Sequence, residues 1–331
     1  MAFCASGVFG KSNSIIYYVD KSWAIKSYSA GGQKKDIREA ETGASGAVIG
    51  CDYDSGTVFV LFTKSDSSTL VLVDAETGKI ASTLTGVEIK DATAAAGSKS
   101  KNLLYVASGK GDALKVTPYK ISGGSFAISG SSLDLANDGS FKAIKKEGID
   151  YKITDMAAIN GSLYALFASC FVFKKDIDIW DGENSWSFPC GSYSTAGGVL
   201  KLVDGDSLAV DTNFAENGVA GYSKNVDGGY DAGGAFVYYY LFNGSLEDAK
   251  SNLEFNNPQK IIAVKPDELV IAENGLCRGK NSCNNLARSL AMELNGKIKS
   301  VTSVHGKSFS YGGNSGNDGL TIFSASGALF E

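Results

Sequence analysis

The chain reads as an all-β propeller of about seven four-stranded blades, on three observations. A short run rich in aromatic and β-branched residues returns about every 45 residues, and a second apolar segment precedes each return at a matching distance. The third observation is 40 glycines against 4 prolines, which suit a chain that turns often and keeps few long helices. The runs begin near Ser14 (SIIYYVD), Thr57 (TVFVLF), Asn102 (NLLYVAS), Gly161 (GSLYALFAS), Asp206 (DSLAVD), Asp267 (DELVIAE) and, most weakly, Lys307 (KSFSYG). Two longer steps, after Asn102 and after Asp206, mark insertions.

Each element of the unit follows from its residues. The preceding segments are FCASGVF from Phe3, AVIGCDY from Ala47, DATAAAG from Asp91, ITDMAAIN from Ile153, GGVLKLVDG from Gly197 and QKIIAVKP from Gln259. They are small and β-branched, as innermost strands must be where blades converge. In TLVLVDAETGKIASTLTG a third strand runs into a turn over Asp74–Lys79, with Gly78 supplying positive φ, and a fourth strand follows. Closing such sheets into a ring leaves only short edges. Residues 1–331 are read as one propeller domain. Six blades fit instead of seven if the segment after Asn295 is a closing hairpin. A two-sheet sandwich would also satisfy short alternating strands, but the regular spacing argues against it.

The stretch Asp52–Gly86, with Leu104-Tyr105-Val106-Ala107-Ser108 in the next unit, resembles the YVTN-type β-propeller repeats of bacterial and archaeal surface proteins. Those repeats pair a Tyr-Val strand with an Asp-x-x-Thr-Gly-Lys turn, and two units here match. The resemblance implies a propeller and a place on a cell surface. Trp180-Asp181 is an isolated Trp-Asp dipeptide and does not recur as a WD40 motif does.

Composition narrows function. With 44% hydrophobic residues the chain is too apolar to be disordered, and a net charge of −5 with dispersed lysines disfavours nucleic acid as a partner. No apolar run is long enough to cross a bilayer as a helix. The six cysteines suggest pairs: Cys277 and Cys283 flank a short polar loop, Cys170 and Cys190 bracket a hairpin, and Cys4 and Cys51 lie one repeat apart on neighbouring inner strands. Three disulfides place the protein in a periplasm, at a cell surface or in the medium, with its export signal already removed. Six buried thiols are the plainer alternative. Zinc is disfavoured because no Cys-x-x-Cys pair occurs.

The single histidine, His305, leaves little room for triad or multi-histidine chemistry. An all-oxygen calcium site is the remaining cofactor option, though Asp52 and Asp54 before Gly56 read as a strand-end turn. No other cofactor is indicated. Candidate binding residues sit on departures from the unit, since loops on a rigid scaffold carry recognition. Tyr222, Asp227, Tyr230 and Asp231 fall in the long insertion of the fifth unit, and Arg278 and Lys280 in the Cys277–Cys283 loop of the sixth. Both insertions are expected on one face, side by side. Trp180 and Trp186, among Asp176, Asp178, Asp181 and Glu183, could stack on sugars or anchor a protein. A further insertion, 122–148, ends in a basic helix-like turn over Lys142–Lys146 and reads as solvated surface.

The leading reading is a non-enzymatic extracytoplasmic scaffold that binds a protein or glycan. The alternatives are a calcium-assisted hydrolase or lyase with an axial carboxylate site, and a structural surface-layer component that self-assembles.

Overall fold

The computed structural model describes residues 2–6, 15–29, 32–144, 149–173, 177–180, 185–188, 191–205, 207–216, 218–222, 230–231, 236–237, 253–255, 258–265, 267–273 and 282–310. Its secondary structure is almost wholly strand, with one six-residue α-helix.

Five four-stranded antiparallel units, sheets 1 to 5, follow one another among the described residues, and parallel pairing joins the middle three into one 14-stranded sheet. Sheet 1 is β1 (Ala2–Ser6), β2 (Ile15–Val19), β3 (Ile25–Ser29) and β4 (Lys34–Arg38). Sheet 2 is β5 (Gly46–Asp52), β6 (Thr57–Thr63), β7 (Ser68–Asp74) and β8 (Ile80–Gly86). Sheet 3 is β9 (Ala92–Ser98), β10 (Leu103–Ser108), β11 (Lys115–Ser122) and β12 (Ser125–Ile128), with β13 (Leu133–Asp134) also pairing to β11. The helix α1 (Gly139–Ile144) then leads to sheet 4, made of β14 (Ile149–Ile159), β15 (Ser162–Phe173), β18 (Gly191–Asp204) and β19 (Leu208–Val210). A hairpin of β16 (Ile177–Trp180) and β17 (Ser185–Phe188) interrupts it, and β20 (Val219–Ala220) pairs to β18. After the short pair β21 (Tyr230–Asp231) and β22 (Phe236–Val237) comes sheet 5: β23 (Pro258–Lys265), β24 (Glu268–Glu273), β25 (Ser282–Glu293) and β26 (Ile298–Ser310).

The first strands lie against one another in sequence: β1 on β5, β5 on β9, β9 on β14, β14 on β23, and β23 on β1. Parallel pairing of β14 with β5, and of β12 with β8, shows that sheets 2, 3 and 4 run the same way. Sheets of this kind, with inner strands converging side by side, are propeller blades. The close approach depends on small residues. A Cβ at Gly50 of β5 would lie 1.9 Å from the Ala95 carbonyl oxygen of β9, so only glycine lets these backbones meet.

Five of the six expected inner strands are β1, β5, β9, β14 and β23. The sixth, GGVLKLVDG, is a correction: it forms β18, the third strand of sheet 4, and DSLAVD supplies β19, its fourth. Lys307–Ser310 of the KSFSYG run likewise belong to β26, the fourth strand of sheet 5; Tyr311 and Gly312 lie outside the described residues. Lengthening of strands, to 12 residues in β15 and 14 in β18, was thus read as repetition. Five such four-stranded units lie among the described residues.

Apolar cores fill the spaces between sheets. Phe59, Leu61, Leu70, Leu104 and Phe126 join sheets 2 and 3, and Leu114, Val116, Phe167, Leu200 and Leu202 join sheets 3 and 4. The 122–148 insertion is more than surface, because Phe141 of α1 is buried edge-on against Tyr151 and Phe167. Asp138 fixes the start of that helix by accepting from the Ser140 and Phe141 amides.

Candidate functional site

Because the sheets are antiparallel, the connections divide between two ends. At one, the turn end, lie the first-to-second and third-to-fourth connections. Apart from 7–14, none exceeds five residues, among them 53–56, 75–79, 99–102, 160–161, 205–207 and 294–297. At the other, the insertion end, lie the second-to-third connections and the links between sheets. They include 129–148, 174–190, 211–257 and 274–281.

Polar side chains sew the turn end together. Asp52 accepts the Lys99 amide of sheet 3 at 2.8 Å, while Asp54 accepts the Asn160 and Gly161 amides of sheet 4 at 2.7 and 3.0 Å. The Tyr53 amide donates to the Ala158 carbonyl. Asp52 and Asp54 are therefore the strand-end turn the sequence suggests, and one that spans three sheets. Asp74 closes its own turn by accepting from Thr77 and Glu76, and Gly78 has φ +68°.

A tyrosine at the third position of a second strand reaches the next sheet three times. Tyr17 of β2 donates to the Ala75 carbonyl at 2.9 Å, Tyr105 of β10 to the Asp204 carboxylate at 2.7 Å, and Tyr164 of β15 to the Leu294 carbonyl at 2.9 Å. Each acceptor sits in or beside the third-to-fourth turn of that next sheet. Burial, then nearby Asp74 or Asp211, pushes Tyr17 and Tyr164 up to about 12, so both remain protonated donors at neutral pH. In β6 the same position is Phe59, whose ring instead covers Gly97 of sheet 3. Runs of matching residues carried this signal, but only the inter-sheet geometry shows what the tyrosines do. Tyr164→Phe is expected to cost about 1 kcal/mol in denaturant unfolding, by leaving the Leu294 carbonyl unmet, and Tyr105→Phe more, because its acceptor is charged.

Two further buried ionic groups join sheets. Glu41, on the link from sheet 1 to sheet 2, meets Arg38 and Lys64 at 2.6 Å each, and accepts from Thr69. Burial raises its carboxyl, but these partners together outweigh that and hold it below its usual value. Asp155 of β14 accepts the Ile261 amide and lies 3.3 Å from the Lys260 ammonium of β23. Here burial dominates over Lys260, and the carboxyl is raised.

The predicted site residues fare unevenly. Tyr222 is half-buried: its ring stacks on Phe167 and packs against the core between sheets 3 and 4, its hydroxyl 3.4 Å from that of Tyr151. The apolar ring fills space beside β18, which the sequence reading had placed in another blade. Trp180 ends β16, Trp186 lies in β17, and Tyr230 and Asp231 form β21, all by backbone position. Asp227, Arg278 and Lys280 lie outside the described residues. Cys51 is disulfide-bonded. Cys4, Cys170 and Cys283 are placed by backbone in β1, β15 and β25, and Cys190 and Cys277 lie outside the described residues. No group of three or more metal-ligating side chains occurs among the described residues, and no helix there is long and apolar enough to cross a membrane.

No protein-family model matches the chain, and no curated protein matches it. Solved structures similar to it include hydrazine synthase of Kuenenia stuttgartiensis, at 11% identity over 89% of this chain and 64% of that one, with a TM-score of 0.40. TolB from Acinetobacter baumannii shares 12% identity over 90% of this chain and 53% of its own, with a TM-score of 0.38. The WD40 repeats of RRP9 share 11% over 91% and 83%, with a TM-score of 0.39. The chain thus spans less than two thirds of the first two proteins, and similarity at this level assigns it no function.

Proposed function

We propose that the chain is a closed propeller of five blades that serves as a non-enzymatic binding scaffold outside the cytosol, taking a protein or glycan partner at its insertion end. One observation carries this reading: the two ends are built differently. At the turn end β5 and β14 pair directly across the inner ring, and Asp52 and Asp54 are spent on neighbouring amides. Carboxylates there hold sheets together instead of facing a ligand. The longest connections, 129–148, 174–190 and 211–257, all leave from the opposite end. The disulfide at Cys51, which we assign to Cys4 because β1 packs on β5, supports an oxidising location.

Anchoring the chain to a support by biotin at Lys79→Cys, in the turn end, should leave glycan-array or partner binding intact, whereas anchoring at Asp112→Cys, in the insertion end, should block it. The reverse pattern overturns the reading. Thermal unfolding should be the same with calcium and with chelator. A rise of several degrees in calcium, reversed by chelator, favours the axial-carboxylate enzyme instead.

A further inference from the structure

Among the described residues two Asn-Gly pairs turn hairpins at the turn end, Asn160-Gly161 and Asn295-Gly296. The first makes up the whole connection between β14 and β15, with Ile159 opposite Ser162. Both of its residues are exposed and left-handed, at φ +50° and +69°, as a tight Asn-Gly hairpin requires. Such a pair is chemically reactive, because a glycine has no side chain to shield its backbone nitrogen from the preceding Asn side chain. A bond forms from the glycine nitrogen to the Asn Cγ, the Cγ–Nδ2 bond breaks, and ammonia leaves with the proton of the glycine amide. Water then opens the resulting cyclic imide at either carbonyl, giving aspartate or isoaspartate. No oxidant or reductant is involved.

The attacking nitrogen must first give up its proton, and here the structure intervenes. The Gly161 N–H donates to Asp54 Oδ2 at 3.0 Å, and the Asn160 N–H to Oδ1 of the same carboxylate at 2.7 Å. A negative charge beside an N–H opposes loss of that proton, and the charge-assisted bond also holds the nitrogen in place. The second pair is held by its own turn. Asn295 Nδ2 donates to Glu293 Oε2 at 3.0 Å, its Oδ1 accepts the Lys297 amide at 2.9 Å, and the Gly296 amide donates to the Glu293 carbonyl at 2.9 Å. At Asn295 the side chain is pinned locally, whereas at Asn160 the glycine nitrogen is pinned by a carboxylate from sheet 2.

We propose that Asn160-Gly161 is a site of spontaneous hydrolytic modification that Asp54 holds in check. The contact between sheets 2 and 4 is then a chemical guard as well as a structural tie. Once modification occurs, isoaspartate lengthens the two-residue turn by one backbone carbon and sets a new carboxylate against Asp54. The two amides can no longer both stay on Asp54, and the tie opens. This inference does not rest on the partner-binding reading.

Peptide mapping by mass of the oxidised full chain, incubated at mildly alkaline pH, follows conversion at both pairs. The expected result is that Asp54→Asn, which keeps the shape and removes the charge, speeds conversion of Asn160 roughly tenfold to a hundredfold, the worth of one hydrogen bond to a charged group. Asn295 should keep its rate. It reports any loss of fold in the same sample, so the ratio of the two rates decides the matter even if Asp54→Asn disturbs folding. Tyr164→Phe loosens sheet 4 against sheet 5 while leaving Asp54 in place, and should leave Asn160 at its original rate. An unchanged rate at Asn160 in Asp54→Asn, an equal rise at both pairs, or the same rise in Tyr164→Phe would each overturn the proposal.

Discussion

Glu273→Leu or Arg288→Met should each lower the unfolding free energy by about 3–5 kcal/mol, the largest effect expected of any side-chain pair among the described residues. The two residues face each other in the β24–β25 register, both are fully buried, and Arg288 donates to Glu273 and to the Glu254 carbonyl. Deleting either partner leaves the other charge in a core where water cannot reach it. The pair itself is a different matter. Bringing two charges out of water cancels most of their attraction, so Glu273→Leu combined with Arg288→Met should recover most of the loss. The exposed pairs of Lys299 with Glu268 and Glu293 are screened and should matter far less. Urea unfolding of the two single variants and the double variant forms the cycle. Single losses below 1 kcal/mol, or a double loss equal to the sum, would contradict this account.

Cys51→Ser should be the next most damaging change, costing about 4 kcal/mol if the bond closes the loop back to Cys4. Cys51 is buried on the inner strand of sheet 2, and β1, which carries Cys4, packs on that strand. A bond there ties the first strand of the chain into the inner ring. Cys4→Ser should then match Cys51→Ser within error, and the double variant should cost no more than either. Peptide mapping without reduction should recover the two cysteines together. Recovery of Cys51 with any other cysteine would break the assignment.

The repeat was legible where its local chemistry is strong. Val58–Phe62 and Leu70–Val73 are short, wholly buried apolar runs between polar turns, and the Asp74–Lys79 turn states its geometry through Thr77 and Gly78. The number of sheets was not legible, for a physical reason. β18 pairs with β15 over ten residue positions and continues past the core, so its residues look like a new inner strand while serving as a third. Burial on both faces makes either position read as a continuous apolar run. The contact of Tyr222 was not legible for a related reason: an aromatic in a Gly-rich segment suggests a loop, yet Phe167 offers it a surface. Asp52 and Asp54 were read correctly as a turn, but their reach into sheets 3 and 4 depends on residues about 45 and 105 positions away, which no local pattern reports.

The central claim is the closed ring with unlike ends, and a crystal structure of the oxidised chain tests it most directly. It should show five four-stranded sheets about one axis, β1 beside β23, and the connections 174–190, 211–257 and 274–281 leaving from a single end. Six or seven sheets, an open stack with β1 and β23 apart, or long connections split between both ends would contradict it.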